Sequence, residues 1–458
     1  MTDIAAVSVA AESLSTTFTG RLLKPTDAGY DDARRVHNGL IDKRPALIAQ
    51  CLGTADVVDA VRLARALSLE VAVRGGGHSV AGRATIDEGL MIDLSLMKGI
   101  HVDVKARTAR AQGGVIWNEF NRETQLHGLA TTGGVVSTTG IAGLTLGGGI
   151  GWLIGKYGLA LDNLVSVELV TAEGRVLDVR EKEHPDLFWA VRGGGGNFGI
   201  AASLEYRLHP VGPRLVGGFV YYPFSAARDV LRFFRDLAAS APDELMLVAG
   251  LFGAPDGSAQ RVAMLGAAHC GSVRDGEAVL PRIKAFGHPI LDELGSTTYC
   301  ELNAALDVGY PRGARNYWKS HFLPELSDDA IGAMIDSYGR CTSSMSEIYI
   351  EHVHGAATRV GVSDTAFPFR SESYNFVIAS QWMAATDDEP CRRWTRETYA
   401  ALQPFVGHGR YVNYLDDDEP GDPAAAAYGV NHARLRAIKS KYDPENFFHM
   451  NQNIRPLP

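Results

Sequence analysis

A glycine-rich loop near residue 75 carries the first pattern that could do chemistry. Residues 71–74 (VAVR) predict a buried strand, and the chain runs from it directly into the loop. The loop consists of Arg74, Gly75, Gly76, Gly77, His78 and Ser79. Three successive glycines let backbone N–H groups approach a phosphate without interference from Cβ atoms, and Arg74 adds a positive charge nearby. A plain glycine turn is the alternative, but the His-Ser pair that follows favours an anion-binding turn.

Two further glycine clusters, residues 147–151 and 193–199, do not fit the common nucleotide motifs. Gly194, Gly196 and Gly199 match GxGxxG, but the predicted order is helix, glycines, strand. The dinucleotide fingerprint requires a strand before the glycines and a helix after them, so a Rossmann site is not indicated. The sequence also lacks GxxxxGK[ST], which argues against a nucleotide triphosphatase.

A predicted strand around residue 350 places titratable side chains on both of its faces. Alternation puts Tyr349, Glu351 and Val353 on one face. It puts His352 and His354 on the other face, and only one face can line a substrate cavity. Paired histidines can bind a metal, but no third ligand is evident in the sequence, so we expect no metal site.

Composition and charge restrict the partners of this 458-residue chain. It carries 44 Lys and Arg against 53 Asp and Glu, a formal charge of −9, so we expect no nucleic-acid partner. The five cysteines lie far apart and form no CxxC pair, which argues against a disulfide framework or a zinc ribbon. The sequence shows no basic, apolar leader and no apolar run of about 18 residues, so we expect a cytoplasmic protein with no membrane partner.

The pattern of predicted elements changes twice along the chain. Residues up to about 212 alternate short strands and helices. From residue 213 to 410, long strands are separated by amphipathic helices, which is typical of an antiparallel sheet with helices on one face. Residues 411–458 contain a helix and an ordered polar turn. We therefore predict an α+β fold with boundaries near residues 212 and 410.

The glycine loops and the C-terminal segment together resemble FAD proteins of the vanillyl-alcohol-oxidase type, and most closely their berberine-bridge-enzyme-like branch. The motifs are VRGGGHS (73–79), IAGLTLGGGIGWLIGKYGLALDNL (141–164), DLFWAVRGGGGNFGI (186–200), YVNY (411–414), YGVNHARLRAIKSKYDPENFF (428–448) and NQNI (451–454). The resemblance implies a two-part FAD-binding domain, residues 1–212 and 411–458, and a substrate-binding domain, residues 213–410. It also implies an oxidase that removes a hydride from a carbon bearing OH or NH in a small organic substrate and reduces O2 to H2O2.

The resemblance assigns FAD binding to residues of all three glycine loops and of the C-terminus. These are Arg74, Gly75, Gly76, Gly77, His78, Ser79, Gly140, Gly143, Gly148, Gly149, Gly199, Ile200, Asn451 and Asn453. It implies a covalent bond from His78 to the flavin 8α-methyl group, with neutral imidazole as the nucleophile. Relatives that attach the flavin twice have a cysteine four residues before Gly140, where this chain has Val136. We therefore expect a single attachment and a smaller or more enclosed substrate.

The catalytic base has three candidates. Tyr414 matches the position of an active-site tyrosine in related oxidases, but its ordinary pKa of about 10 would have to be lowered. Glu351 and His352 lie on the predicted strand of the substrate domain, and either could take the proton instead. Two other functions stay open: a dehydrogenase that uses a different electron acceptor, and a flavin-bearing binding protein without turnover. The sequence identifies neither the substrate nor the oligomeric state.

Overall fold

The computed structural model describes residues 7, 9, 12, 14, 16–258, 260–418 and 421–458, and its first sheet leads into the glycine-rich loop. This sheet contains β1 (Arg21–Leu23), β2 (Leu47–Gln50), β3 (Val71–Arg74) and β4 (Leu90–Asp93), in the order β1-β2-β4-β3. Strands β2, β4 and β3 run parallel, and helix Thr54–Ala66 packs its apolar face against them. The strand predicted at residues 71–74 is confirmed.

A second, antiparallel sheet holds the strand that follows the third glycine cluster. It contains β5 (Ile100–Asp103), β6 (Thr108–Gln112), β8 (Leu164–Val170), β9 (Val176–Arg180) and β10 (Ile200–Arg207), in the order β5-β6-β10-β8-β9. Strand β10 begins directly after the glycines and pairs with both β6 and β8. A small separate sheet pairs β7 (Leu129–Ala130) with β11 (His209–Pro210).

The largest sheet has eight strands and is antiparallel throughout. Its members are β12 (Arg214–Pro223), β13 (Leu245–Gly253), β14 (Arg261–His269), β15 (Leu291–Asp292), β16 (Gly295–Thr298), β17 (Arg315–Leu323), β18 (Glu347–Val353) and β19 (Ser373–Trp382). The order is β15-β12-β14-β13-β18-β19-β17, and β16 pairs with β12. Helices Ala227–Ala238, Val273–Lys284, Asp328–Tyr338 and Asp388–Leu402 cover one face. The α+β class, with an antiparallel sheet covered by helices, is confirmed.

The uncovered face of the large sheet packs against the segment that contains the second glycine cluster. Side chains such as Phe219, Val248 and Tyr349 from this face share one apolar core with Ile150 and Trp152. Strand alternation therefore separates two cores, one under the helices and one toward the glycine segment. The second core borders the cavity described below.

The C-terminal segment packs back onto the earlier part of the chain. Leu435 and Ile438 share a core with Leu187 and Trp189. Further α-helices of the described residues include Tyr30–Arg34, Trp117–Gln125, Ile141–Gly147, Ile154–Tyr157, Pro185–Val191, Tyr299–Ala304, Ala356–Arg359, Pro423–Tyr428 and His432–Tyr442. Among the described residues, no helix combines the length and the apolar character needed to cross a bilayer. All five cysteines are described and none is in a disulfide.

Candidate active site

Two glycine turns meet back to back and form one wall of the site. A Cβ on Gly76 would lie 2.4 Å from the backbone nitrogen of Gly140, and a Cβ on Gly140 would lie 2.4 Å from that of Gly76. No side chain can be accommodated at such distances, so both positions require glycine for backbone contact. This contact brings the loop after β3 against the start of helix Ile141–Gly147.

Most of the predicted FAD-binding residues line a single cavity beside this contact. They are Gly75, Gly76, Gly77, His78, Ser79, Gly140, Gly143, Gly199, Ile200 and Asn451. The large sheet contributes Trp318, Tyr349 and Val377 to the lining, and the C-terminal segment contributes Tyr414 and Gln452. The cavity therefore lies where the glycine loops, the large sheet and the C-terminus meet.

The chemistry of the lining fits an elongated anionic cofactor such as FAD. No described Asp or Glu lines the cavity, whereas Arg83 and three successive glycines, whose backbone N–H groups no side chain shields, do. Gly143 also lines it, and apart from its chain neighbours and its own helix backbone no protein atom of the described residues lies within 4 Å of the position that a Cβ would take there. Backbone donors, a cation and open space beside a glycine are what a pyrophosphate and its flanking groups require.

His78 is held at the cavity wall by two residues that the sequence did not indicate. Its Nε2 lies 2.9 Å from Thr138 Oγ1, and its ring stacks on His37 at 3.9 Å between centroids and 21° between planes. Burial, with the nearby His37 as a smaller cause, lowers the pKa of His78 well below its usual value. His78 is therefore a neutral imidazole, the form that can act as a nucleophile.

Val136 also lines the cavity, on the same loop as Thr138. Its side chain is partly buried and packs against the core that faces the glycine segment. Valine has no group that can form a thioether, so this wall offers contact surface but no second point of attachment.

The predicted role of Arg74 at the phosphate needs correction. Its guanidinium binds Asp93 through both branches, with Nε 2.7 Å from Asp93 Oδ1 and a second contact from Nη2 to Oδ2. Its Nη1 donates to the carbonyl oxygens of Ala33, at 2.6 Å, and Arg35, at 3.1 Å. Because Asp93 is fully buried, this pair holds the base of the loop in place, and the guanidinium is not directed at the main cavity.

Gly148, Gly149 and Asn453 also differ from their predicted place, because none of them lines the cavity. Gly148 and Gly149 adopt φ values of 146° and 95°, a region that favours glycine. The amide of Gly149 donates to the hydroxyl of Tyr411 at 2.9 Å, and a Cβ on Gly148 would lie 2.8 Å from the Tyr411 ring. These two glycines therefore position Tyr411, which does line the cavity. At the C-terminus Gln452 lines it in place of Asn453.

Tyr414, which lines the cavity, forms a hydrogen bond with Glu351, which does not line it. The Tyr414 hydroxyl donates to Glu351 Oε1 at 3.3 Å, and the Asn375 amide donates to Oε2 at 2.7 Å. Burial raises the pKa of Glu351 to about 7, although both hydrogen bonds act in the opposite direction. Burial and the neighbouring Glu351 raise the pKa of Tyr414 well above its usual value. Tyr414 alone is thus a poor base, whereas Glu351 titrates near neutral pH.

A second buried carboxyl, Glu347, lies on β18 four residues before Glu351 and on the same face of the strand. It accepts a hydrogen bond from the hydroxyl of Tyr310, which lines the cavity. Burial raises the pKa of Glu347 to about 8. The alternation that groups Tyr349 with Glu351 also includes Glu347, so the sequence pattern could have indicated it.

His352 lies on the opposite face of β18, and its predicted catalytic role is corrected. Its ring stacks on His354 at 4.3 Å and 3° between planes, and its Nε2 lies 3.4 Å from Glu372 Oε1. Its other ring neighbour, Tyr374, packs against the core under the helices. Burial lowers the pKa of His352 to about 3. The sheet therefore separates His352 from the cavity.

Comparison with known proteins adds family matches at both ends of the chain. An FAD binding domain profile matches residues 45–180, and a berberine and berberine-like profile matches residues 410–455. An FAD-linked oxidoreductase of Dictyostelium discoideum is 32% identical over 418 residues, covering 90% of this chain and 89% of that protein. (R)-6-hydroxynicotine oxidase of Paenarthrobacter nicotinovorans is 32% identical over 457 residues, covering 95% and 97%. The crystal structure of 6-hydroxy-D-nicotine oxidase from Arthrobacter nicotinovorans is 30% identical, with a TM-score of 0.86 and coverage of 96% and 99%.

Proposed function

Because the chain belongs to the berberine-bridge-enzyme-like FAD oxidoreductases of the vanillyl-alcohol-oxidase type, we propose that it is an oxidase of small organic substrates. The reaction removes a hydride from a carbon bearing OH or NH and reduces O2 to H2O2. The observation that carries this proposal is the hydrogen bond from Tyr414, which lines the cavity, to Glu351, which is fully buried behind it. FAD, when bound, supplies the hydride acceptor and the route of the electrons to O2.

Tyr414 and Glu351 act together as a proton relay. The O–H or N–H of the substrate donates to the Tyr414 oxygen, and the Tyr414 proton passes to Glu351 Oε1 over 3.3 Å. Asn375 holds the other carboxylate oxygen and so fixes the orientation of the acceptor. Because the pKa of Glu351 is about 7, a large fraction of molecules carry the ionised carboxylate at neutral pH. The same pKa gives the carboxylate enough proton affinity to accept the proton from Tyr414.

The glycine turns and the C-terminus bind FAD, and His78 attaches it covalently. The residues that would hold it are those of the lining: the amides of residues 75–77, Ser79, Gly140, Ile200 and Asn451. Support for attachment comes from His78, a neutral imidazole at the cavity wall. Val136 supports attachment at this one point.

The substrate contacts an aromatic wall formed by the large sheet and by Tyr310, which lies in the segment before β17. Tyr310, Trp318 and Tyr349 line this end of the cavity beside Tyr414, and flat aromatic surfaces suit a small, partly apolar molecule. The relative named (R)-6-hydroxynicotine oxidase supports a compact organic substrate.

We place the FAD-binding domain in residues 1–212 and 411–458, the substrate domain in residues 213–410, and the protein in the cytoplasm.

The test begins with the purified full chain and a panel of alcohols, sugars, aromatic carbinols and cyclic amines. We expect one yellow flavin per chain, which at least one compound bleaches without air and which air restores with release of H2O2. Reoxidation by artificial dyes but not by O2 would instead indicate a dehydrogenase. Failure of every compound to bleach the flavin would favour a binding protein without turnover.

A further inference from the structure

We infer that Thr138 is a positioning residue for covalent flavin attachment, an inference that rests on the proposed bond between His78 and FAD. The Thr138 hydroxyl oxygen accepts the proton on Nε2 of His78 and thereby leaves the lone pair of Nδ1 to form the bond. The contact that points to this role is the distance of 2.9 Å between His78 Nε2 and Thr138 Oγ1.

The loop that carries Thr138 is fixed on both sides by hydrogen bonds to other parts of the chain. The amide and hydroxyl of Ser137 donate to the two carboxylate oxygens of Asp307, at 2.8 and 2.5 Å. The carbonyl oxygen of Thr139 accepts from the amide of Trp117 at 3.0 Å. Because both neighbours are anchored, the orientation of Thr138 is set by the fold, and its hydroxyl meets the imidazole without a conformational search.

The ring of His78 is fixed in plane as well as at Nε2. His37 stacks on it, and the amide of His37 donates to the carbonyl oxygen of Gly77 at 3.0 Å. Among the described residues, no hydrogen bond to Nδ1 of His78 is present. Of the two ring nitrogens, Nε2 is therefore the one engaged by protein and Nδ1 the one left for another partner.

Attack through Nδ1 requires the imidazole proton to be on Nε2. In the neutral ring one nitrogen carries hydrogen and the other a lone pair, and only the lone pair can form a bond to carbon. As Nδ1 forms this bond, positive charge develops on the ring and the Nε2–H becomes a stronger donor. A hydroxyl oxygen that accepts from Nε2–H therefore stabilises the charged ring more than it stabilises the neutral ring, because hydrogen bonds from a charged donor are stronger.

The attachment step balances with O2 as the oxidant. One C–H bond of the flavin 8α-methyl group breaks and its proton leaves, while a bond forms between that carbon and Nδ1 of His78. The electron pair of the C–H bond stays on the flavin, which becomes reduced by two electrons. Dioxygen takes this pair with two protons, one from the methyl group and one from Nε2, and leaves as H2O2.

The test compares hydroxyl-free and hydroxyl-bearing variants of the full chain, incubated with added FAD and air. Covalent flavin is the part that remains on the acid-precipitated chain, and total flavin is the covalent part plus the released part. Thr138→Val and Thr138→Ala should attach flavin roughly tenfold or more slowly than the wild type, with total flavin unchanged. Thr138→Ser, which keeps the hydroxyl, should restore attachment to within about threefold of the wild-type rate.

Thr131→Val is the matched control, because it removes a buried hydroxyl of the same segment that has no hydrogen-bond partner among the described residues. It should attach flavin at the wild-type rate. Wild-type rates in the Thr138→Val and Thr138→Ala variants, or loss of total flavin in both, would overturn the role of Thr138. Release of all flavin from the wild type by acid, or flavin on a peptide without His78, would instead refute the proposed attachment site.

Discussion

Replacing Glu351 by glutamine should change how the stability of the protein depends on pH. The carboxyl is fully buried, and burial raises its pKa from 4.5 to about 7. Between these two pH values the folded chain holds a proton at Glu351 that the unfolded chain has released. The free energy of unfolding therefore falls as the pH rises from 4.5 to about 7, and this contribution is constant above that range.

The size of this effect follows from the shift in pKa. A difference of about 2.5 pH units corresponds to about 3 kcal/mol, since each unit is worth about 1.4 kcal/mol. Glutamine has nearly the same shape as glutamate and carries no charge at any pH. The free energy of unfolding of the variant therefore does not fall with pH through this position. The glutamine amide oxygen can still accept the hydrogen bond that Asn375 now donates to the carboxylate. Because a small part of this loss has already occurred at pH 5, Glu351→Gln should gain about 2.5 kcal/mol relative to the wild type between pH 5 and pH 8.5.

Urea unfolding of both proteins at these two pH values, followed by tryptophan fluorescence, measures the difference. All other titrating groups are common to the two proteins and largely cancel in the comparison. Glu325→Gln, which changes an exposed carboxyl on the same part of the chain, is the control and should show no such gain. If Glu351→Gln and the wild type differ by the same amount at both pH values, Glu351 is not a buried acid with a raised pKa. The proton relay would then lose its acceptor.

Three further substitutions test the site. Tyr414→Phe removes one hydroxyl and should slow flavin reduction by about 10²-fold or more while total flavin stays constant, measured by anaerobic stopped-flow absorbance; an unchanged rate would remove Tyr414 from the relay. His352→Asn, on the far face of the sheet, should leave that rate within about threefold, and a large loss would contradict its placement. Arg74→Met leaves Asp93 buried without its partner and should destabilise the fold by about 3 kcal/mol or more, measured by urea unfolding; a neutral effect would refute its structural role.

The alternation along β18 is predictable from the sequence, but the face that meets the cavity is not. Period-two spacing groups Glu351 with Tyr349 and separates both from His352. Which group faces the cofactor depends on which side of the sheet the helices cover, and that is set by packing far along the chain. The sequence could therefore sort the β18 residues correctly by face, but it could not exclude His352 as a catalytic base.

The role of Arg74 also could not be predicted from the sequence around it. A positive residue before three glycines suggests a phosphate contact, and only the parallel pairing of β3 with β4 shows that Asp93 lies opposite it. Thr138 and His37 were missed for the same reason, since they are distant in sequence from His78. The positions of the lining glycines were predictable because a family motif, and not a physical pattern alone, identified them.

The glycines of the three clusters are required for different structural reasons. The proposed phosphate contact would account for the glycines of the first loop that line the cavity, but Gly76 and Gly140 must also be glycine because their backbones touch each other. Gly148 and Gly149 serve a third purpose, which is to let Tyr411 pack beside the cavity. A substitution at Gly140 should therefore separate the two loops and move Thr138 away from His78. Loss of covalent flavin in such a variant would follow from lost positioning, even where the nucleophile itself is intact.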